Sequence, residues 1–508
     1  MAFQNVVGSP VRPPLLRRFS WRLPSQNMQL ALLLLAAAFL IRLPQFGNSL
    51  FGEDEQFYLL VGERMLHGSV PYVDIWDRKP FGLFALFASF WLINSDGFLV
   101  AQTAATLSAA STAFVIALIA CRFTNVAAAA GAGIFYLLLL SVLGGDAAQT
   151  PVFYNLLIVT AAWLILPTNH ALDGRQDMKR AMAAMLLCGI AIQIKTNAVF
   201  EGVCFGCWLM VRMWGRVPVA LLLQRATAFA VIGLAPTLMV AAGYAWIGHF
   251  DSWWFANMVS QLQKEGGLSP DALQRLLGLA PSLVMLAVVG ILGTLRLKPS
   301  GTRTFLVAWA MCAFADTFVL GNFWRHYTLP FTIPAAILSA PLFAMPRVGL
   351  AVFLSLSAWP LVDSQIFDRI DEAQGRDVLN TTLAAIPSDA PTQCLLGYEV
   401  PAAYYVLTHA CLVTPYLFID QLRSSAEAPA LPVPAHLALR QALQRRPGTI
   451  LTVANSHWAM RNHTNDALLA KTLRQEYRLI AHLPFRRTAQ YQQILLVWRR
   501  TDLPVKQL

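Results

Sequence analysis

Charged residues are scarce in this sequence. Only 13% of its 508 residues are Asp, Glu, Lys or Arg, while 56% are hydrophobic and the mean hydropathy is +0.53. Soluble domains carry about 25% charged residues, so this composition excludes an ordinary soluble enzyme and indicates a polytopic membrane protein. Basic residues do not gather on a soluble segment, so the net charge of +11 predicts no nucleic-acid partner. A repeat of about 20–50 residues is also absent, which excludes a solenoid.

Long apolar runs take the place of the missing charges. Spans of roughly 17–25 apolar residues cross a bilayer as helices, and the sequence holds about eleven such candidates. They lie at 29–46, 98–120, 127–143, 152–167, 182–197, 198–214, 226–248, 277–294, 304–320, 328–345 and 348–363. The pair covering 182–214 is either two short spans or a bent hairpin. The sequence therefore predicts a polytopic α-helical membrane protein.

The basic residues predict how the chain is oriented. Four arginines precede the first span without an acidic residue: Arg12, Arg17, Arg18 and Arg22. A signal peptide would have a small-residue cleavage site after the apolar run, and none follows here. Because Lys and Arg concentrate on the cytoplasmic side, we expect residues 1–28 inside the cell. An odd number of spans then makes 29–363 the transmembrane domain and leaves 364–508 outside. We expect the protein in the inner (plasma) membrane, with its site on the periplasmic or extracytoplasmic side.

The composition changes near residue 364, where charges, prolines and short apolar segments replace the long spans. The segments "TQCLLGY", "ACLVTPY", "GTILTVA" and "QILLVWRR" alternate with the helical patterns "AHLALRQALQRR" and "DALLAKTLRQEY". This alternation predicts a small α/β domain of about 145 residues. Cys394 and Cys411 are its two cysteines, and an oxidising compartment would allow a disulfide between them. Two buried free thiols are the alternative, because one residue of register would separate the side chains.

The first outer loop, 47–97, is the densest concentration of charge beside a span. It contains "FGEDEQFYLLVGERMLHGSVPYVDIWDRKPFG", residues 51–82, directly after "MQLALLLLAAAFLIRL". "EQFYLLVGERMLHG" predicts a helix that stops at Gly68, with Phe57 on an apolar side and Gln56 on a polar side. Such a helix would lie along the membrane surface. The following "FGLFALFASFWLIN", about 14 residues long, is too short to span the bilayer.

A carboxylate at the depth of the lipid head groups suits transfer from a lipid-linked donor. A transferase needs a base that takes a proton from the acceptor and cations that stabilise the departing phosphate. Asp54 and Glu55 are the candidate acids, and Lys79, Lys195, Arg325 and His326 are the candidate basic groups for the phosphate. Lys195 stands near the end of an otherwise apolar span, where an ionisable residue indicates function.

Several short stretches, in this order, resemble one family. Arg42–Leu43, "EDEQFY", "HGSVPYVD", "WDRKPFG", "GIAIQIKTNAVF" and "FWRHYTLPFTIP" resemble the polyprenyl-phosphate-sugar-dependent glycosyltransferases of the GT-C fold, related to protein O-mannosyltransferases and the lipid A aminoarabinose transferase. The resemblance covers roughly 29–345. It implies a polyprenyl-phosphate-linked sugar donor. It also implies that Asp54 is the acidic residue that takes part in catalysis and that Lys79 lies near the donor phosphate. Relatives often carry an acid in the second outer loop; here Gln149 and Pro151 stand in that region, and Asp146 is its one acid.

Other roles compete with these assignments. Asp54 could be a helix N-cap, Glu55 could orient Asp54, hold a metal or only favour the helix dipole, and Lys79 could snorkel to the interface. The sequence leaves a divalent cation open, because no spaced ligand cluster specifies one. A direct displacement with inversion on a glycan, lipid or protein of the cell envelope is the favoured reaction. A transporter or flippase, or a polymerase or ligase of lipid-linked sugars, is the alternative.

Overall fold

A computed structural model describes residues 25–166, 175–263, 270–319, 321–363, 370–456, 460–488 and 491–504. Two features predicted from the sequence lie outside these residues. One is the N-terminal segment as far as residue 24, with its four arginines, and the other is the domain boundary at 364. The predicted division into domains therefore stays a prediction.

The apolar part of the chain is helical wherever a span is predicted. Its helices are α1 Gln26–Arg42, α2 Glu53–Leu66, α3 Phe81–Ile93, α4 Gly97–Ala120, α5 Val126–Val142, α6 Thr150–Ile165, α7 Arg175–Ile194, α8 Val199–Met213, α9 Val219–Trp246, α10 Phe250–Trp254, α11 Ser260–Gln263, α12 Pro270–Arg296, α13 Gly301–Val319, α14 Leu329–Phe343 and α15 Gly349–Asp363. All except α2, α3, α10 and α11 correspond to predicted spans. The ambiguous pair 182–214 is two helices, α7 and α8, separated by Lys195 and a 3₁₀ turn, Thr196–Ala198.

Polar side chains cap the first turn of several of these helices. Ser25, Asp96 and Asn125 each accept a hydrogen bond from a backbone N–H of the first turn of α1, α4 and α5. Such a cap satisfies one of the four N–H groups that a helix start leaves without a partner.

Among the residues that the structure describes, four helices are long and apolar enough to cross a membrane: α1 with the turn that follows it, α4, α9 and α12. Four shorter apolar helices accompany them, α3, α5, α6 and α15. These statements rest on length and composition. The expected total of about eleven spans remains a prediction.

Helix α2 differs from the amphipathic surface helix that the sequence predicts. Its polar side is covered in part: Gln56 is only 1% exposed, Glu63 and Arg64 are half-buried, and His67 is exposed. The amide of Gln56 donates to the carbonyl of Phe51, and its oxygen accepts from the N–H of Ala403. The Phe57 ring contacts Phe418 edge to face, with centroids 5.4 Å apart. The C-terminal part of the chain therefore covers the beginning of α2, and the expectation of a solvent-facing polar side was wrong for Gln56.

The C-terminal part contains helices around a four-stranded sheet. Its elements are α16 Ile370–Ala385, α17 Ala390–Gln393, β1 Leu395–Gly397, α18 Ala403–Leu407, α19 Ala435–Gln444, β2 Thr449–Ala454, α20 His463–Glu476, β3 Tyr477–Thr488 and β4 Tyr491–Arg500. The strand order is β1-β2-β4-β3, with β1 parallel to β2 and the other pairs antiparallel. Leu395, Ile450 and Leu495 have no exposed surface and form part of its core.

The predicted strands are partly correct. "TQCLLGY", "GTILTVA" and "QILLVWRR" contain β1, β2 and β4, but "ACLVTPY" contributes only one parallel bridge, between Leu395 and Leu412. Strand β3 was missed, because it lies at the sheet edge and carries Pro484, which sequence reasoning takes as a strand breaker. A disulfide joins Cys394 and Cys411, with Cα atoms 4.4 Å apart, so the two cysteines are not free thiols.

Candidate functional site

Asp54 lies in the first turn of α2, where the chain turns back after α1. The helix begins at Glu53, and Gly52 is its N-cap with a backbone φ of +43°. The positive φ favours glycine here, and a Cβ atom at Gly52 would also displace the Glu55 carboxylate. Asp54 is therefore not the N-cap of α2, and the interpretation of Asp54 as a capping residue was wrong. Its side chain keeps 20% of its surface exposed.

Two donors from separate loops contact the Asp54 carboxylate. The Lys79 ammonium lies 3.9 Å from Oδ1, and the Gln149 amide donates to Oδ2 at 3.4 Å. Burial alone would raise the pKa of Asp54, but Lys79, His326, Lys195 and the Gln149 hydrogen bond outweigh it and lower this pKa. Asp54 is therefore ionised at neutral pH, as a general base must be.

Lys79 is held by a loop whose backbone is fixed on both sides. The Tyr72 hydroxyl donates to the carbonyl of Lys79 at 2.8 Å, and the Lys79 ammonium lies 5.6 Å from the centre of the Tyr58 ring. Burial opposes the charge on Lys79, yet Asp54 and Asp77 outweigh it and raise its pKa. Lys79 is consequently a fixed cation with about a quarter of its side chain exposed, 27%.

The C-terminal part of the chain also holds the loop that carries Lys79. The N–H of Trp76 donates to the carbonyl of Pro415 at 2.9 Å, and the Gln421 amide donates to the carbonyl of Trp76 at 2.9 Å. Next to them, Arg78 forms an ion pair with Glu427 in which both side chains are largely buried. The "DRK" turn is therefore an interface within the chain, whereas sequence reasoning takes such a turn as solvated.

Glu55 has surroundings quite different from those of its neighbour Asp54. It has no exposed surface, and its Oε2 accepts from the Gln149 amide at 3.3 Å. Burial, and after it the charge of Asp54, raises the pKa of Glu55 to about 8. Glu55 is thus a neutral carboxylic acid at pH 7. A protonated Glu55 cannot act as a second base, but it can orient Asp54.

The second outer loop reaches the site because Arg42 anchors it. The buried Arg42 guanidinium donates to the carbonyls of Gly145 and Ala147 at 2.7 and 2.6 Å. Asp146 accepts from the Gln45 amide at 2.5 Å, and its charge also acts on Glu55. Gln149, at the start of α6, is the residue of this loop that contacts Asp54. Asp146 as a substrate contact stays a prediction.

The remaining predicted residues lie around the Tyr327 ring. The Lys195 ammonium lies 4.5 Å from the centre of that ring, and His326 contacts it edge to face at 4.7 Å. Burial and the charge of Lys195 lower the pKa of His326 to about 3, so its imidazole is neutral at pH 7. Arg325 is exposed, and its guanidinium reaches the carbonyl of Val142 at 3.5 Å. The structure thus brings Lys79, Lys195 and His326 near Asp54, with Arg325 directed elsewhere.

A close approach of α3 to the end of α7 brings the two lysines together. A Cβ atom on Gly82 would lie 2.7 Å from Cβ of Gln193 and 2.8 Å from its carbonyl oxygen, so only glycine fits there. Gly82 ends the "WDRKPFG" motif, three residues after Lys79, and Gln193 stands two residues before Lys195. The glycine of this motif is therefore explained by packing that positions the site.

Three polar groups at this site lack a partner, and sequence reasoning missed one of them, Tyr58. Glu55 Oε1, Gln149 Oε1 and the Tyr58 hydroxyl are buried and have no hydrogen-bond partner within the described parts of the chain. Other buried polar atoms of the described residues also lack a partner, but these three lie together around Asp54, where they leave hydrogen-bonding capacity for a polar ligand. Tyr58 is part of "EDEQFY", but nothing in its spacing marks its hydroxyl.

The residues at this site do not fit a divalent cation. Across the described ranges, His, Cys, Asp and Glu form no group of three that could hold a metal ion. More directly, the Gln149 amide directs N–H donors at both carboxylates, while Lys79 faces the other oxygen of Asp54. A divalent cation needs oxygen ligands in these places.

No protein-family model and no curated protein matches the sequence. Solved structures do match the fold. ArnT from Cupriavidus metallidurans in the apo state is 14% identical, with a TM-score of 0.60 over 93% of this chain and 98% of that chain. The same protein bound to undecaprenyl phosphate is 14% identical, with a TM-score of 0.59 over 95% and 100%.

A second match is the Archaeoglobus fulgidus oligosaccharyltransferase AglB in complex with an inhibitory peptide and a dolichol-phosphate. It is 12% identical, with a TM-score of 0.53 over 91% of this chain and 80% of that chain. Identities this low establish the architecture alone. The chain has the GT-C fold, which confirms the fold that the sequence resemblance implies.

The neutral state of Glu55 predicts a stability that depends on pH. Its pKa rises from 4.5 to about 8 on folding, so its favourable contribution is complete below pH 4.5 and is lost as pH rises through 8. Glu55→Gln, which mimics the protonated acid, should therefore lose less stability than the native chain between these values. Thermal unfolding in detergent at several pH values measures this, with the partly exposed Glu53→Gln as control. Equal pH slopes for the native chain and Glu55→Gln would contradict the assignment.

Proposed function

We propose that this protein is an integral-membrane glycosyltransferase. It moves a sugar from a polyprenyl-phosphate donor to a glycan, lipid or protein acceptor of the cell envelope on the outer face of the membrane. The observation that carries the proposal is the ionised Asp54 beside the cation Lys79, in the loop directly after the first apolar helix. Two structures with the same fold contain undecaprenyl phosphate and dolichol-phosphate, which supports a lipid phosphate as the donor.

The residues suggest a single displacement. Asp54 takes the proton of the acceptor nucleophile as that atom bonds to the anomeric carbon of the sugar. The bond between this carbon and the phosphate oxygen breaks, and its electrons remain on the departing polyprenyl phosphate. Lys79 and Lys195 stabilise the negative charge that develops there, with His326 as a neutral hydrogen-bonding group. Attack from the side opposite the phosphate inverts the anomeric carbon.

A transporter or flippase is less well supported. Transporters place ionisable groups and broken helices near the middle of the bilayer, commonly in repeated halves. Here Asp54 and Gln149 lie shortly after the apolar helices α1 and α5, Lys79 lies in the loop between α2 and α3, and the C-terminal part packs on that loop at Trp76. A polymerase or ligase of lipid-linked sugars would use the same geometry and differ in its acceptor. A radiolabel transfer assay with purified protein and a panel of polyprenyl-phosphate sugars tests the proposal and identifies the sugar.

The first functional prediction is that Asp54→Asn removes transfer without unfolding the protein. General base catalysis contributes about 10²–10⁴-fold to a rate, so the variant should keep less than about a hundredth of the native rate. Donor binding should survive, because Lys79 and Lys195 remain. The transfer assay and a donor-binding titration measure the two effects. A variant that keeps more than about a tenth of the native rate would show that Asp54 is not the base.

The second prediction is that Lys79→Ala weakens use of the donor far more than use of the acceptor. Hydrogen bonds to charged groups are worth about 1.5–3 kcal/mol, so the donor KM should rise about tenfold or more. Arg325→Ala should have a smaller effect, because its guanidinium contacts the carbonyl of Val142. The exposed Lys298, after α12, provides a matched control as Lys298→Ala. Unchanged donor KM and kcat in Lys79→Ala would exclude the proposed role.

The third prediction concerns the sides of the membrane. The distribution of basic residues supports residues 1–28 in the cytoplasm and 364–508, with the site, outside. Reporter fusions at residues 170 and 400 should therefore report opposite compartments, with 170 inside. Fusions that report the same side would refute this topology.

A further inference from the structure

The Gln149 side chain lies between the two carboxyl groups of the site. Its Nε2 atom is 3.4 Å from Oδ2 of Asp54 and 3.3 Å from Oε2 of Glu55. An amide nitrogen carries two hydrogens and can donate to both oxygens at once. One uncharged side chain therefore satisfies one oxygen of each acid.

The charges of the site are balanced by the protein itself. Asp54 carries one negative charge, and the Lys79 ammonium, 3.9 Å from its Oδ1, carries one positive charge. Glu55 is neutral at pH 7, because burial and the charge of Asp54 raise its pKa. Two carboxyl groups side by side thus amount to one anion, and Lys79 and Lys195 already supply positive charge to it.

We propose that the Gln149 amide is a positioning residue that occupies the place of a divalent cation between Asp54 and Glu55, so that sugar transfer needs no divalent metal ion. The inference deepens the proposed glycosyltransferase function and rests on it. Gln149 holds Asp54 by Oδ2 and leaves the carboxylate free to take the acceptor proton. The hydrogen bonds from Gln149 thus hold the two carboxyl groups in place, which a bound metal ion would otherwise do.

An amide rotated by half a turn is the arrangement that would favour a metal ion. It would place Gln149 Oε1, now buried without a described partner, against the two carboxyl oxygens. In that orientation Oε1 could accept the proton of the neutral Glu55, but it would also face the ionised Asp54 oxygen, and a cation between these two oxygens would relieve their repulsion. The two orientations therefore make opposite predictions for metal binding, and a direct titration separates them.

The test uses the full-length purified protein with Mn²⁺ as the probe. Transfer by the native chain should be unchanged after EDTA treatment, and Mn²⁺ titrated without substrate should find no site that depends on Asp54. Gln149→Glu, which supplies a third carboxylate, should gain such a site. An EDTA-inactivated native enzyme that Mg²⁺ or Mn²⁺ restores would overturn the proposal. So would one Mn²⁺ bound by the native chain and lost in Asp54→Asn, or a Gln149→Glu variant that also fails to bind Mn²⁺.

The positioning role has a readout that a purely structural role would not change. The Gln149 hydrogen bond lowers the pKa of Asp54, so Gln149→Ala should move the acid limb of kcat/KM to higher pH. The rate on the plateau should fall about tenfold or more, as expected for a lost hydrogen bond to a charged group. An unshifted acid limb would refute the role of Gln149. If no donor supports transfer, the proposed function fails, while the Mn²⁺ titration still decides this inference by itself.

Discussion

An ionised carboxylate that is mostly removed from water is stable only beside cations and N–H donors, and the arrangement around Asp54 follows from this constraint. Its partners come from separate loops: Lys79 from the loop before α3, and Gln149 from the start of α6. Each loop is fixed in turn by contacts that the carboxylate does not make itself. Arg42 holds the second outer loop through two carbonyls, and Gly82 permits the approach of α3 to α7. Contacts among several distant segments therefore determine the position of the negative charge on Asp54.

The C-terminal part takes part in these contacts although it contributes no predicted site residue. It covers the beginning of α2 and binds the backbone of Trp76 on both sides. Its Glu427 pairs with Arg78, next to Lys79, in an ion pair shielded from water. Removing one partner of such a pair leaves an uncompensated charge and costs about 3–5 kcal/mol, more than an exposed pair could contribute. The position of Lys79 therefore depends on contacts more than 300 residues away in the chain, as from Trp76 to Gln421.

The sequence predicts what depends on local pattern, and it fails where distant segments meet. The length of the apolar runs predicted eleven spans, and each of them contains a helix. The density of charged residues predicted the loop that carries Asp54 and Lys79. The burial of Gln56 in α2 was not predictable, because its cover lies in the region around Ala403 and Phe418. Gln149 was recognised as a departure from the family pattern, but its contact with Asp54 joins residues 95 positions apart. Local periodicity contains no information about such a contact.

The adjacent acids Asp54 and Glu55 show how one helix gives two neighbours different chemistry. Consecutive residues of an α-helix point about 100° apart, so the two side chains enter different surroundings. Asp54 points toward Lys79 and keeps 20% of its surface, whereas Glu55 points into the protein and keeps none. The first is therefore ionised and the second neutral at pH 7. The ionised state of Asp54 in turn keeps the proton on Glu55, since a second negative charge so close would be unfavourable. Two acids in sequence thus differ in charge at pH 7, a division that environment alone can produce.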